Sequence, residues 1–226
     1  MDTYSTNNDF NAMRILIMTA VTAEKEAVLR GLQEDDRFDV IAGGVGPIVS
    51  AVSTTKALAA SNRYDLVISM GIGGGFPEKA EVGSVVVSNE IVSADLGAET
   101  NEGFCRIENL GFGCSRVAVD QQLSSKVAEA LTDAGLSVQT GAILTLCTVT
   151  GTKETAIELS TRVPGATVEA MEGFGVATAA HDAGVPVLEI RTISNPVGPR
   201  DRNAWKIKEA LQALEKVSSV LPEVLK

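Results

Sequence analysis

Two carboxylates and one carboxamide carry the strongest chemical signal in the chain. Glu172 lies in TVEAMEGFG (167–175), with Met171, Gly173 and Phe174 around it, an unusual setting for a carboxylate without a partner. Its two oxygens could accept from the two hydroxyls of a ribose, and a solvent-facing acid at a helix start fits the same position. Asn195 closes the strand-like run VPVLEIRTIS. A carboxylate and an amide at the carboxyl ends of two strands in one α/β unit point into the crevice where such sheets bind small polar ligands. Glu24, in AVTAEKE (20–26), opens a helix directly after the first strand-like run. It could be a general base that orients water, with Glu26 as a nearby competitor, although the helix dipole alone also favours an acid there.

Glycine clusters come next. GGVGP (43–47) and GIGGG (71–75) each follow a strand pattern and are expected to turn the chain. They could serve as tight turns alone or let backbone amides approach a ligand. Neither matches the dinucleotide fingerprint or the P-loop, which needs a lysine absent here. His181, the one histidine, sits beside Asp182 on a helical stretch and is expected at the surface. A single histidine leaves no His-rich metal site and offers a serine triad only a poor candidate. Cys105, Cys114 and Cys147 show no CxxC spacing, so neither a disulfide framework nor a thiolate metal site is supported. No metal and no cofactor are expected, and reduced cytoplasm fits such cysteines.

The elements that must position these groups read as an alternation. RILIMT (14–19) has a buried-strand pattern, and Thr22 is placed to cap a helix over 23–32. A strand over 38–42, a helix over 48–60 with Pro47 near its first turn, and a strand over 65–70 follow. GIGGGFP is expected to end that third strand. Residues 85–92 are rich in β-branched side chains, whereas 93–114, with Gly97, Gly103, Gly111 and Gly113, hold no period and read as a long loop, a length that suggests a functional role. A helix over 121–134, a strand over 137–148 and a short helix over 153–160 lead into the 167–201 segment. Ile207, Leu211, Leu214, Val217 and Leu221 then mark a final amphipathic helix. The pattern predicts a largely parallel or mixed sheet with helices on both faces. With 226 residues, 45% of them apolar, one core and one domain over 13–226 are expected. Residues 1–12 read as a polar, disordered leader, with Met13 an alternative start directly before the first strand. A net charge of -10 with scattered basic residues argues against nucleic acid as a partner, and no apolar run reaches membrane-spanning length.

AVTAE (20–24), GGVGP, SMGIGGG (69–75), VEAMEG (168–173) and RTISN (191–195), in this order and spacing, resemble the nucleoside phosphorylase/nucleosidase family. The resemblance covers nearly the whole chain from Met13. It implies a single-domain three-layer α/β/α fold with a central mixed sheet, nucleoside phosphorylase-like, acting on a small-molecule nucleoside and assembling as a homo-oligomer. In such an assembly the 93–114 loop could complete a neighbouring site. ADLGAE (94–99), GFG (111–113) and TISNPVGPRDR (192–202) are most similar to the hypoxanthine-releasing hydrolases of that family. Carried over by matching position, the resemblance implies that Glu24 activates water, Met171 packs against the ribose and Glu172 binds its hydroxyls. It likewise implies that Val149 and Thr150, in TVTGT, contact the purine, and that Ile72, Gly73 and Gly74 shape the wall beneath the nucleoside. In adenine-releasing relatives an Asp stands at the position of Asn195 and helps to protonate the base at N7.

The amide at 195 has a chemical reading of its own. Adenine presents an exocyclic donor, whereas hypoxanthine presents an O6 acceptor, and the Asn195 NH₂ can donate to that O6 while its carbonyl accepts from N7–H. An amide cannot itself release the proton, so solvent or another group must deliver it. It could instead simply cap the loop before Pro196. Water is the better nucleophile, because a carboxylate at Glu24 would repel phosphate. The resemblance also implies a substrate side arm with a carboxylate, which Arg200 or Arg202 could hold, although a solvated charge cluster fits both arginines. An adenine-releasing nucleosidase and a non-catalytic nucleoside-binding module remain alternatives.

Overall fold

The computed structural model describes residues 13–61 and 64–226, so the expected leader over 1–12 lies outside the described residues. The strands are β1 (Ile15–Thr19), β2 (Phe38–Ala42), β3 (Leu66–Gly75), β4 (Val85–Ser93), β5 (Gly97–Thr100), β6 (Gly103–Arg106), β7 (Arg116–Ala118), β8 (Val138–Thr145), β9 (Ala166–Ala170) and β10 (Val187–Pro196). The helices are α1 (Thr22–Leu32), α2 (Pro47–Ala60), α3 (Gln121–Asp133), α4 (Lys153–Arg162), α5 (Gly173–Asp182) and α6 (Ile207–Val224). Every residue of β1 is buried, as expected of a strand with a parallel neighbour on each edge and helices over both faces.

The central sheet is mixed, as the alternation predicts. β1 pairs parallel with β2 and β3, β3 with β10, and β4 with β8, while β4 meets β10 antiparallel. β3 changes partner along its length. Residues 66–69 pair with β1, whereas Gly74 and Gly75 pair antiparallel with β9. Since β9 joins β8, β8 joins β4 and β4 joins β10, which returns to β3, the sheet also closes into a five-stranded ring. α1 and α6 pack together beside β3 and β10, and α2 packs on α5, which covers β3, β4, β8 and β10. Among the described residues no helix is long and apolar enough to cross a membrane.

Four details depart from the sequence reading. Thr22 is the first residue of α1 rather than its cap, and Glu24 performs the capping instead, accepting from the Ala20 and Val21 amides at 2.9 and 3.2 Å. GIGGG is not a turn. Its five residues complete β3, and a side chain would not fit at its first or last glycine: a β-carbon on Gly71 would lie 2.5 Å from Glu24 Oε1, and one on Gly75 2.1 Å from the Ala80 carbonyl oxygen. The 93–114 segment is not structureless either, for it folds into the β5–β6 hairpin and a 3₁₀ turn at Ile107–Leu110. Finally, the buried stripe of α6 runs through Ala210, Leu214, Val217, Leu221 and Val224, leaving Ile207 exposed.

Candidate active site

A cavity of about 280 Å³ opens at the carboxyl ends of β1, β3, β9 and β10. Glu24, Ile72, Gly73, Gly74, Val149, Met171, Glu172 and Asn195 all line it, together with Val45, Glu169, Ser194 and Trp205. Sequence positions 24, 72, 172 and 195 are thus brought to one place by the strand order alone.

Glu24 is buried at 3% exposure, whereas Glu26 is exposed, which separates the two competitors. Besides the Ala20 and Val21 amides, its carboxylate accepts from the Ile72 amide at 2.9 Å. Three backbone donors occupy three of the roughly four lone-pair positions of a carboxylate, and one is left for a guest. The glycine at 71 is what allows β3 to come this close.

Glu172 occupies the N-cap position of α5, yet its side chain turns inward and is buried. One oxygen accepts from the Gly46 amide at 3.2 Å, and the other pairs with Arg191 Nη1 at 3.2 Å. The GGVGP segment is indeed a turn, with φ of +95° at Gly44 and Gly46, and it delivers that amide at the N-terminus of α2. Glu172 lines the cavity, and each of its oxygens has one such partner among the described residues, leaving a second acceptor position on each.

Arg191 went unrecognised in the sequence. It is 1% exposed and sits beneath the cavity, bound to Glu189 at 2.8 Å, to Glu172, and to the Ser69 hydroxyl at 3.1 Å. Burial works against its charge, but Glu189, Glu172 and Glu24 outweigh that and raise its pKa further. Burial likewise lifts Glu189 above the usual carboxylate range, although the adjacent guanidinium draws it back. The signal was present in LEIRTIS, where two opposite charges two residues apart in an apolar strand must share one face.

Asn195 is half-buried in the cavity lining. Its Oδ1 lies 2.8 Å from the Ser194 hydroxyl, and its Nδ2 donates to the Pro196 carbonyl at 3.0 Å. Among the described residues, one N–H and one acceptor position of the amide have no partner. Thr150 is buried and does not line the cavity. Its amide donates to Glu169 at 2.8 Å, and its hydroxyl closely contacts the same carboxylate. Arg200 and Arg202 are both exposed outside the cavity lining, with the Arg200 guanidinium 5.8 Å from the ring centre of the cavity residue Trp205. His181 is exposed, as expected.

Residues 22–226 match the model of the phosphorylase superfamily. The chain is 47% identical to futalosine hydrolase of Streptomyces coelicolor, over 94% of this chain and 97% of that one. It is 42% identical to futalosine hydrolase of Acidothermus cellulolyticus, over 93% and 91%. Among solved structures, futalosine hydrolase of Helicobacter pylori superposes with a TM-score of 0.81 at 17% identity, covering 94% of this chain and 98% of that one.

Proposed function

The chain belongs to the phosphorylase superfamily, and within it we propose that the protein hydrolyses the N-ribosidic bond of futalosine, releasing hypoxanthine and dehypoxanthine futalosine, a step of menaquinone biosynthesis. It is an N-glycosyl hydrolase. The observation that carries the reading is the placing of Glu24, Arg191-anchored Glu172 and Asn195 around one cavity. Glu24, with one lone pair free, holds and deprotonates the attacking water. The two free lone pairs of Glu172 match the vicinal hydroxyls of a ribose, and Met171 packs against the sugar. Carboxylates on both sides of the sugar stabilise the positive charge that develops as the bond to the base breaks. Ile72, Gly73 and Gly74 form the floor beneath the nucleoside, and Val149 flanks the base.

The free N–H of Asn195 donates to O6 and its free acceptor position receives N7–H, which favours a 6-oxopurine leaving group over adenine. Arg200 meets the carboxylate of the substrate side arm in this reading, which its 5.8 Å approach to the ring centre of the cavity residue Trp205 supports, with Arg202 as the second candidate. Three free cysteines suit the cytoplasm. The assembly is a homo-oligomer built on the exposed apolar face of α2. Product analysis with futalosine, with and without phosphate, tests the reaction. Free hypoxanthine with an unphosphorylated sugar product is expected in both cases, and a strict need for phosphate would overturn hydrolysis.

A further inference from the structure

The cavity holds a third carboxylate, Glu169, which neither Glu24 nor Glu172 needs. It is 6% exposed and lines the same cavity as Asn195. The β-ladder places the two symmetrically, since Glu169 is the register partner of Gly74 on one edge of β3 and Asn195 is the partner of Gly74 on the other. Two strand spacings separate them, about 10 Å, and partners in one row project to one face. Gly74 contributes no side chain between them, and the Asn195 amide lies over it, 3.2 Å from where a Gly74 β-carbon would stand.

Glu169 differs from the other buried carboxylates of the site in its partners. Glu172 and Glu189 are held by Arg191, and Glu24 by three amides, whereas the described bonds of Glu169 come from Thr150 alone. Thr150 spends both its amide and its hydroxyl on this carboxylate, so the wall shows the cavity an acceptor instead of the two donors of Thr150. Burial raises the Glu169 pKa, and the Thr150 bonds offset part of that.

We propose that Glu169 reads the N1–H of the leaving 6-oxopurine, next to the O6 and N7 that Asn195 meets, and is thereby a specificity-determining residue. Hypoxanthine carries a proton on N1, and adenine carries a lone pair there. An ionised carboxylate accepts from the first and repels the second. With Asn195 at O6 and N7, the two side chains then cover the whole edge by which the two bases differ. The inference rests on the futalosine reading above, and it says which group enforces the choice of base.

The test measures binding of free hypoxanthine and free adenine by calorimetry, and turnover of futalosine and its 6-amino counterpart, in wild type, Glu169→Gln and Glu169→Ala. Glu169→Gln keeps an oxygen for the Thr150 amide and turns an NH₂ toward the Thr150 hydroxyl, so it retains the local fold. That side-chain amide can also donate to the N1 of adenine. In Glu169→Gln the preference for hypoxanthine over adenine should fall about tenfold to a hundredfold, the range expected on losing a charge-assisted bond. Glu169→Ala should lose the preference while binding both bases weakly. Equal losses for both bases and both substrates would make Glu169 a structural prop of Thr150 and overturn the proposal. If wild type fails to hydrolyse futalosine, the proposed reaction falls, and the base-binding comparison still decides the role of Glu169.

Discussion

At the scale of single residues, the site is a problem of filled and unfilled lone pairs. Glu24 is fixed by three amides, and replacing it with Gln keeps the shape while turning one oxygen into a donor facing those amides. Turnover of futalosine by Glu24→Gln should fall by at least about a hundredfold, the lower range for loss of a general base. Hypoxanthine affinity should stay within a few fold, since the role proposed for Glu24 is toward the water and not the base. Turnover within tenfold of wild type would remove Glu24 from the chemistry. Glu24, Glu172 and Asn195 were legible because acids and amides at strand ends are few. Arg191 and Glu169 were not singled out, because their meaning lies in partners on other strands. Only the alternation of charge at 189 and 191 within an apolar run hinted at the buried pair.

At the scale of elements, periodicity located nearly every long strand and helix, and glycine was where it failed. GIGGG has the composition of a turn, yet it finishes β3, because the Glu24 carboxylate, the Arg191 guanidinium and the Ala80 carbonyl press too closely for any β-carbon. Composition reports what a glycine permits, and only the tertiary structure says which permission is used. The 93–114 segment failed for a related reason, its β5–β6 hairpin being short and its following turn held by a side chain. Glu108 accepts from the Ser115 amide and, at 2.7 Å, from the Ser115 hydroxyl. Burial alone would raise the Glu108 carboxyl, but the Ser115 bonds outweigh it and hold it down at about 2. A depressed carboxyl stabilises the fold above its unfolded value of 4.5, and that contribution disappears as the pH falls through about 2. The difference in thermal midpoint between wild type and Glu108→Gln should therefore be constant above about pH 5 and shrink toward zero near pH 2. A difference that is flat across this range would show that the Glu108–Ser115 tie does not hold the hairpin.

For the whole molecule, the proposed homo-oligomer seats a second copy on α2. Ile48 is 76% exposed, and Val45, Val49 and Val52 are each at least half exposed, so three- and four-residue steps lay one apolar stripe along the helix face away from α5. A contiguous stripe of this kind marks an interaction surface more often than solvent-facing helix. Val45 belongs both to this stripe and to the cavity lining, so a second copy seated on α2 would also close one side of the site. Sedimentation of the wild type should accordingly give a multiple of the 23.6 kDa chain mass. Ile48→Lys combined with Val52→Lys places two charges in the stripe without touching the core of α2, whose buried residues are Ser50, Thr54 and Leu58. That variant should sediment as a folded monomer. Its turnover should drop mainly through a raised KM, because Glu24, Glu172 and Asn195 stay in place while the wall beside Val45 is lost. A wild type that is monomeric at micromolar concentration, or a double variant that keeps the wild-type mass, would show that α2 faces solvent and that one chain encloses its own site.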